Sequence, residues 1–113
     1  MPARRAEAAL RGAAPVFAAL GDETRLGLVA RLCEGGPASI ARLSEGAGVT
    51  RQAVAKHLQV LEGAGLVRGA RRGRENVFRI ETRRLEEARR CLDRISSQWD
   101  EALGRLKALV EEG

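Results

Sequence analysis

Tyrosine is absent from the 113 residues, histidine occurs once, and only Phe17, Phe78 and Trp99 are aromatic. So few rings leave the core to Leu, Val and Ala, and a single imidazole cannot build a tetrahedral metal site. The two cysteines, Cys33 and Cys91, lie far apart and form no CxxC or CxC pair. That spacing argues against a zinc site or an oxidised scaffold, so both read as reduced thiols. No Ser/His/Asp or Cys/His set accompanies a supporting turn, and no glycine-rich loop is built to cradle phosphate, so neither an enzyme nor a cofactor is expected. No apolar run approaches a membrane span, and the opening MPARRAEAALRGAAP lacks the apolar stretch of a signal peptide. The expectation is a cytoplasmic protein without a membrane partner.

What the chain does have is charge, and it is unevenly placed. The total is +5, yet Arg51 to Arg84 alone carries nine basic residues against three acids, a net of +6. A basic block within one third of an otherwise balanced chain points to a polyanion-binding face. Nucleic acid leads as the partner, ahead of an anionic membrane. With 44% hydrophobic residues the chain can form one folded domain over 1–113, and it is too short for two conventional ones.

Periodicity and punctuation divide that domain. Residues 1–14, rich in Ala and Arg, read as a loosely ordered arm, and Pro15 suits the first turn of a helix carrying Val16, Phe17 and Leu20 up to Gly21. Asp22 is a good N-cap for a second helix with Leu26, Val29, Ala30 and Cys33 on one face, closed by Gly35, Gly36 and Pro37. Ser39 caps a short third helix carrying Ile40, Leu43 and Ala47. Gly46 to Val49 turn into Thr50, the cap of a fourth helix that runs to about Ala64 and stops at Gly65. In TRQAVAKHLQVL, Val54, Leu58 and Leu61 form a narrow apolar stripe while Gln52, Lys56 and Gln59 project on the far side.

Next, LVRGARRGRENVFRI reads as a hairpin, with Leu66 and Val67 opening one strand, Val77, Phe78 and Ile80 in the other, and the turn at Arg72 to Glu75. From Thr82 to Glu112 one long helix repeats Leu85, Ala88, Leu92, Ile95, Trp99, Ala102, Leu106 and Leu109 at spacings of three and four. At 1.5 Å per residue that helix is roughly 45 Å long, more than so small a body can cover, so a second copy should lie against it.

Helix, helix, short turn, helix, hairpin and terminal helix is the order of a winged helix-turn-helix, mainly α with a small β-hairpin. The segments PVFAALGDETRLGLVARL, GVTRQAVAKHLQVLEGAGLV and RRGRENVFRI together resemble the ArsR/SmtB family of bacterial dimeric repressors, over roughly Pro15 to Ile80. The Trp-bearing last helix resembles the branch without metal-binding signatures. The resemblance implies a winged-helix core over 15–80, a dimerisation helix over 82–112 and a homodimer on double-stranded DNA. It puts Gln52, Lys56 and Gln59 in a major groove, with Thr50 and Arg51 at the head of the same helix. It sets Arg68, Arg71, Arg72 and Arg74 of the wing against the sugar-phosphate chain or a minor groove. The chemistry of these side chains agrees: glutamine can donate and accept in one plane to adenine, and lysine serves guanine or phosphate. Family members often have serine where this chain has Ala55, so a hydroxyl contact is missing and a relative's sequence preference does not transfer.

The implied dimer interface comprises Phe17, Leu20, Leu85, Leu92, Ile95, Trp99, Leu106 and Leu109. His57, beside the apolar stripe, should pack with one hydrogen bond rather than bind metal. Cys91 and Asp93 are the only plausible ligands in the last helix, so no metal is expected. Cys33 and Cys91 read first as small buried hydrophobes and second as a redox pair, because some branches of the family sense oxidants or sulfide with one thiol on the second helix and one on the last. Two alternatives follow: a thiol-switched repressor, and a protein-interaction module whose basic face is incidental. No small-molecule effector can be named.

Overall fold

The computed structural model describes the backbone of residues 2–112 and the side chains of residue 5 and residues 7–112. In chain order the elements are α1 (Pro2–Leu20), α2 (Glu23–Gly35), β1 (Ala38–Ser39), α3 (Ile40–Ser44), α4 (Arg51–Gly63), β2 (Val67–Arg72), β3 (Glu75–Ile80) and α5 (Thr82–Glu112).

The polar residues at the helix starts act as caps. Asp22, in extended conformation, accepts from the Arg25 amide at 3.1 Å, Ser39 from the Arg42 amide at 3.1 Å, and Thr50 from the Ala53 amide at 3.1 Å. Each satisfies one of the amides that a helix start leaves without a partner. The Arg25 amide holds the Asp22 carboxyl below its usual pKa. That cap therefore contributes in full above the ordinary carboxylate range and is lost as pH falls through the depressed native value. At the far end of α4, Gly65 takes φ of 77° and donates to the Glu62 carbonyl at 2.9 Å, while the Leu66 amide reaches the Leu61 carbonyl at 2.9 Å. This is a Schellman closure, and its positive φ is why glycine stands there.

The core lies between α4 and everything else. Val54, Leu58 and Leu61 are fully buried, joined by Leu43, Leu66, Val67, Leu28, Leu32 and Val16. Phe78, on β3, closes the core from the sheet side.

Four sequence-based expectations change. The helix that should begin at Pro15 begins at Pro2, and Pro15 lies inside it. An interior proline withholds one amide from the helix ladder. Here the alanine-rich flanks favour helix on both sides, and Ala13 and Val16 are buried as α1 packs along α5. The inner face of α2 is Leu28, Val29 and Leu32; Leu26, Ala30 and Cys33 are exposed. Two stripes of helical spacing compete in that segment, and the one richer in leucine wins the core. The hairpin gains a third strand, because β1 pairs antiparallel with β3 through Ala38 with Phe78 and Ser39 with Val77, in the order β1-β3-β2. Finally, α3 ends at Ser44, so Ala47 packs on the core from the turn beyond it rather than from the helix; Phe17, Leu20 and Leu85 are half-buried against the same core.

The helix α5 spans Thr82–Glu112, and only Ala88 and Cys91 along it are buried. Beyond them Leu92, Ile95, Trp99, Leu103, Leu106, Leu109 and Val110 are exposed, Trp99 by 66%. The helix runs far past the body, giving extents of 67 × 32 × 20 Å.

Candidate nucleic-acid interface

The face of α4 opposite its buried stripe is open. Thr50, Arg51, Gln52, Lys56 and Gln59 are all exposed, and Ala55 is half-buried at the margin. Because Val54, Leu58 and Leu61 lock the other side at zero exposure, the helix cannot rotate these polar groups inward. One short helix precedes it, and the turn between them is pinned from α2. The Arg31 guanidinium donates to the carbonyls of Leu43 at 2.6 Å, Arg42 at 2.9 Å and Glu45 at 3.2 Å; the Arg42 carbonyl also accepts from the Glu45 amide that caps α3. Nothing in the sequence singled out Arg31 for this, since it is one arginine among many.

The wing is a two-residue hairpin, with Arg72 opposite Glu75 and Gly73 and Arg74 at the tip. Only Gly73 has positive φ, 61°, the pattern of a II′ turn, so Arg74 sits at the outermost point. Strand alternation splits the arginines. Arg68 and Arg72, with Arg79, share one face; Arg71 shares the other with Gly69, Asn76 and Phe78. Arg68 and Arg79 stand directly opposite each other, and Glu81 relieves that repulsion by pairing with Arg68 at 3.5 Å. Arg68 is therefore engaged at the base of the wing, whereas Arg72 and Arg74 make no ion pair among the described residues.

Helix and wing are tied together. The Glu62 carboxylate, in the last turn of α4, accepts from the Gly69 amide at 2.9 Å. A Cβ on Gly69 would fall 2.8 Å from the Phe78 ring, so a side chain there would lift the wing off the core. Between them lies a cleft of about 230 Å³ lined by Glu62, Gly69, Ala70, Arg71, Asn76 and Phe78. Arg71 and Asn76 thus lie on the face of the wing that borders α4. Asn76 was not anticipated; its pairing with Arg71 across the hairpin was the available signal.

Elsewhere, Cys33 is exposed on α2 and Cys91 is buried on α5, both as free thiols. The reading of both as buried hydrophobes therefore holds for Cys91 alone. Among the described residues no three His, Cys, Asp or Glu side chains gather as a metal-holding group, and no helix is long and apolar enough to cross a membrane.

Comparison with known proteins agrees with this geometry. Residues 20–70 match the helix-turn-helix domain family. The chain is 36% identical over 93 residues to the HTH-type transcriptional regulator Rv2034 of Mycobacterium tuberculosis, covering 82% of this chain and 83% of that protein. Its structure is similar to the ArsR-like transcriptional regulator from Rhodococcus sp. RHA1, with a TM-score of 0.72 and 38% identity over 88% of this chain and 93% of that one. The chain belongs to the ArsR family of transcriptional regulators. As an ArsR-family protein it is a regulator with a winged helix-turn-helix DNA-binding domain and not an enzyme. A further relative in structure, a winged helix-turn-helix domain from Mycobacterium bovis described as homodimeric, has a TM-score of 0.63 and 27% identity, covering 89% of this chain and 90% of that one.

Proposed function

We propose that the chain is a cytoplasmic homodimeric repressor that binds an inverted-repeat operator. The observation that carries this reading is the α4 surface, where exposed amides and a cation stand on a helix whose other side is fully buried. Gln52, Lys56 and Gln59 read base edges in the major groove, with Thr50 and Arg51 against the backbone at its head. Arg71, Arg72 and Arg74 follow the sugar-phosphate chain or enter the adjacent minor groove, and Arg68 steadies the wing's base through Glu81. The exposed stripe Leu92, Ile95, Trp99, Leu106 and Leu109 meets its copy across a twofold axis, which sets the two α4 helices about 34 Å apart, one helical turn of DNA. The homodimeric relative supports the pairing. Occupancy of a promoter then excludes polymerase.

Selection of bound fragments from a genomic DNA library tests binding and names the operator. On that operator, log affinity should fall with log salt at a slope of about −5 to −9, as expected for three to five phosphates neutralised per subunit. Lys56→Ala with Arg72→Ala should abolish duplex retention and leave the dimer intact by sedimentation. A flat salt response, or full binding by the double variant, would defeat the proposal. Family membership removes the ground for an interaction module without DNA. The thiol-switch reading gains no support from one exposed and one buried cysteine.

A further inference from the structure

Hydrophobic packing holds the inner face of α4, but it is non-directional, and a hydrogen bond adds a contact of defined geometry. A directional contact is needed if two copies of α4 are to enter successive grooves in register. Among the described residues, one side-chain hydrogen bond joins α4 to the helices before it: the Arg25 guanidinium lies 3.3 Å from His57 Nδ1. Arginine only donates, so in this contact Nδ1 is the acceptor. The same guanidinium donates through Nε to the Ala19 carbonyl at 2.5 Å, in the last turn of α1. Asp22 completes the cluster: it binds the Arg25 amide at 3.1 Å and its carboxylate stands 3.9 Å from His57 Nδ1. The His57 side chain is three-quarters buried there, so its contact is shielded from competing water.

The other end of this chain of contacts is the pairing surface. The helix α1 packs along α5, which carries the exposed apolar stripe. Arg25 therefore grips, with one planar group, the end of the helix that lies on α5 and the middle of the helix that faces DNA.

We infer that Arg25 and His57 are positioning residues that set the recognition helix relative to the dimer axis. They touch no DNA themselves. The inference rests on the DNA-binding reading above, and it predicts a division that the reading alone does not. Contacts within one half-site depend on the exposed face of α4, which the pair does not alter; the gain from engaging both half-sites depends on where the two helices stand.

The test uses the selected operator and a duplex with one half-site scrambled. His57→Leu fills the space without an acceptor, His57→Asn returns an oxygen near the position of Nδ1, and Arg25→Gln removes the grip from the other side. His57→Leu should weaken binding to the full operator about tenfold, the value of one hydrogen bond to a charged group. It should leave half-site binding within about twofold and the dimer intact by sedimentation, and His57→Asn should recover most of the loss. Equal losses on both duplexes, or no recovery with asparagine, would reduce the pair to a fold-stabilising contact and overturn the inference. So would full-operator binding unchanged in both His57→Leu and Arg25→Gln, while the wild type binds. A wild-type chain that retains no duplex removes the DNA-binding reading, and this inference with it.

Discussion

Two apolar stripes of the same helical spacing meet opposite fates in this molecule. On α4, Val54, Leu58 and Leu61 are wholly removed from water; on α5, Leu92, Ile95, Trp99, Leu106 and Leu109 are largely in it. Spacing alone does not separate them, since both repeat every three or four residues. Length does. The thirteen residues of α4 fit across the body, whereas the thirty-one of α5 outrun it. A stripe that outruns its own domain is surface left over for something else, and its contiguity marks it as an association surface rather than scattered exposure.

The contrast can be broken from either side. Leu58→Ala, which opens a cavity at a site of zero exposure, should cost about 2–5 kcal/mol in chemical denaturation and lower DNA binding only through loss of folded protein. Trp99→Ala should do the reverse, leaving the subunit's secondary structure intact by circular dichroism while raising the dimer dissociation constant more than about thirtyfold, because an anchoring tryptophan is worth about 2 kcal/mol or more. If Trp99→Ala unfolded the chain and left its association untouched, the two stripes would have exchanged roles. Gly69→Ala sharpens the comparison at the wing, where the missing Cβ lets Phe78 close the core. It should cost about 1–3 kcal/mol by overpacking and weaken DNA binding beyond that cost, as the wing tilts away from α4. The smallest effect belongs to Thr50→Ala. Losing this cap should cost about 1 kcal/mol of thermal stability, read as a small downward shift in Tm.

The elements were legible where local chemistry decides. The caps Asp22, Ser39 and Thr50, the stop at Gly65 and both ends of α5 follow from residue types at fixed positions. Legibility failed where tertiary packing chooses between locally equal options. Pro15 reads as a start, yet the helix continues through it because α5 supports both sides. In α2, two stripes fit the spacing and only the core ranks them. The two residues of β1 are too few to show alternation, so a third strand had no pattern to announce it. At the candidate site, the exposed α4 residues and the wing arginines were legible by type. How the arginines divide between two faces required the strand register. The lone histidine was read as packed with one hydrogen bond; that its partner is an arginine 32 positions earlier was beyond any sequence pattern.

Gly65 closes α4, and the space its missing side chain leaves is taken by Arg84, whose Cγ would lie 2.9 Å from an added Cβ. The end of α4 and the first turn of α5 therefore lie against one another, although the two strands of the wing separate them in the chain. Any side chain larger than hydrogen at residue 65 would therefore displace Arg84 as well as strain the positive φ that ends α4.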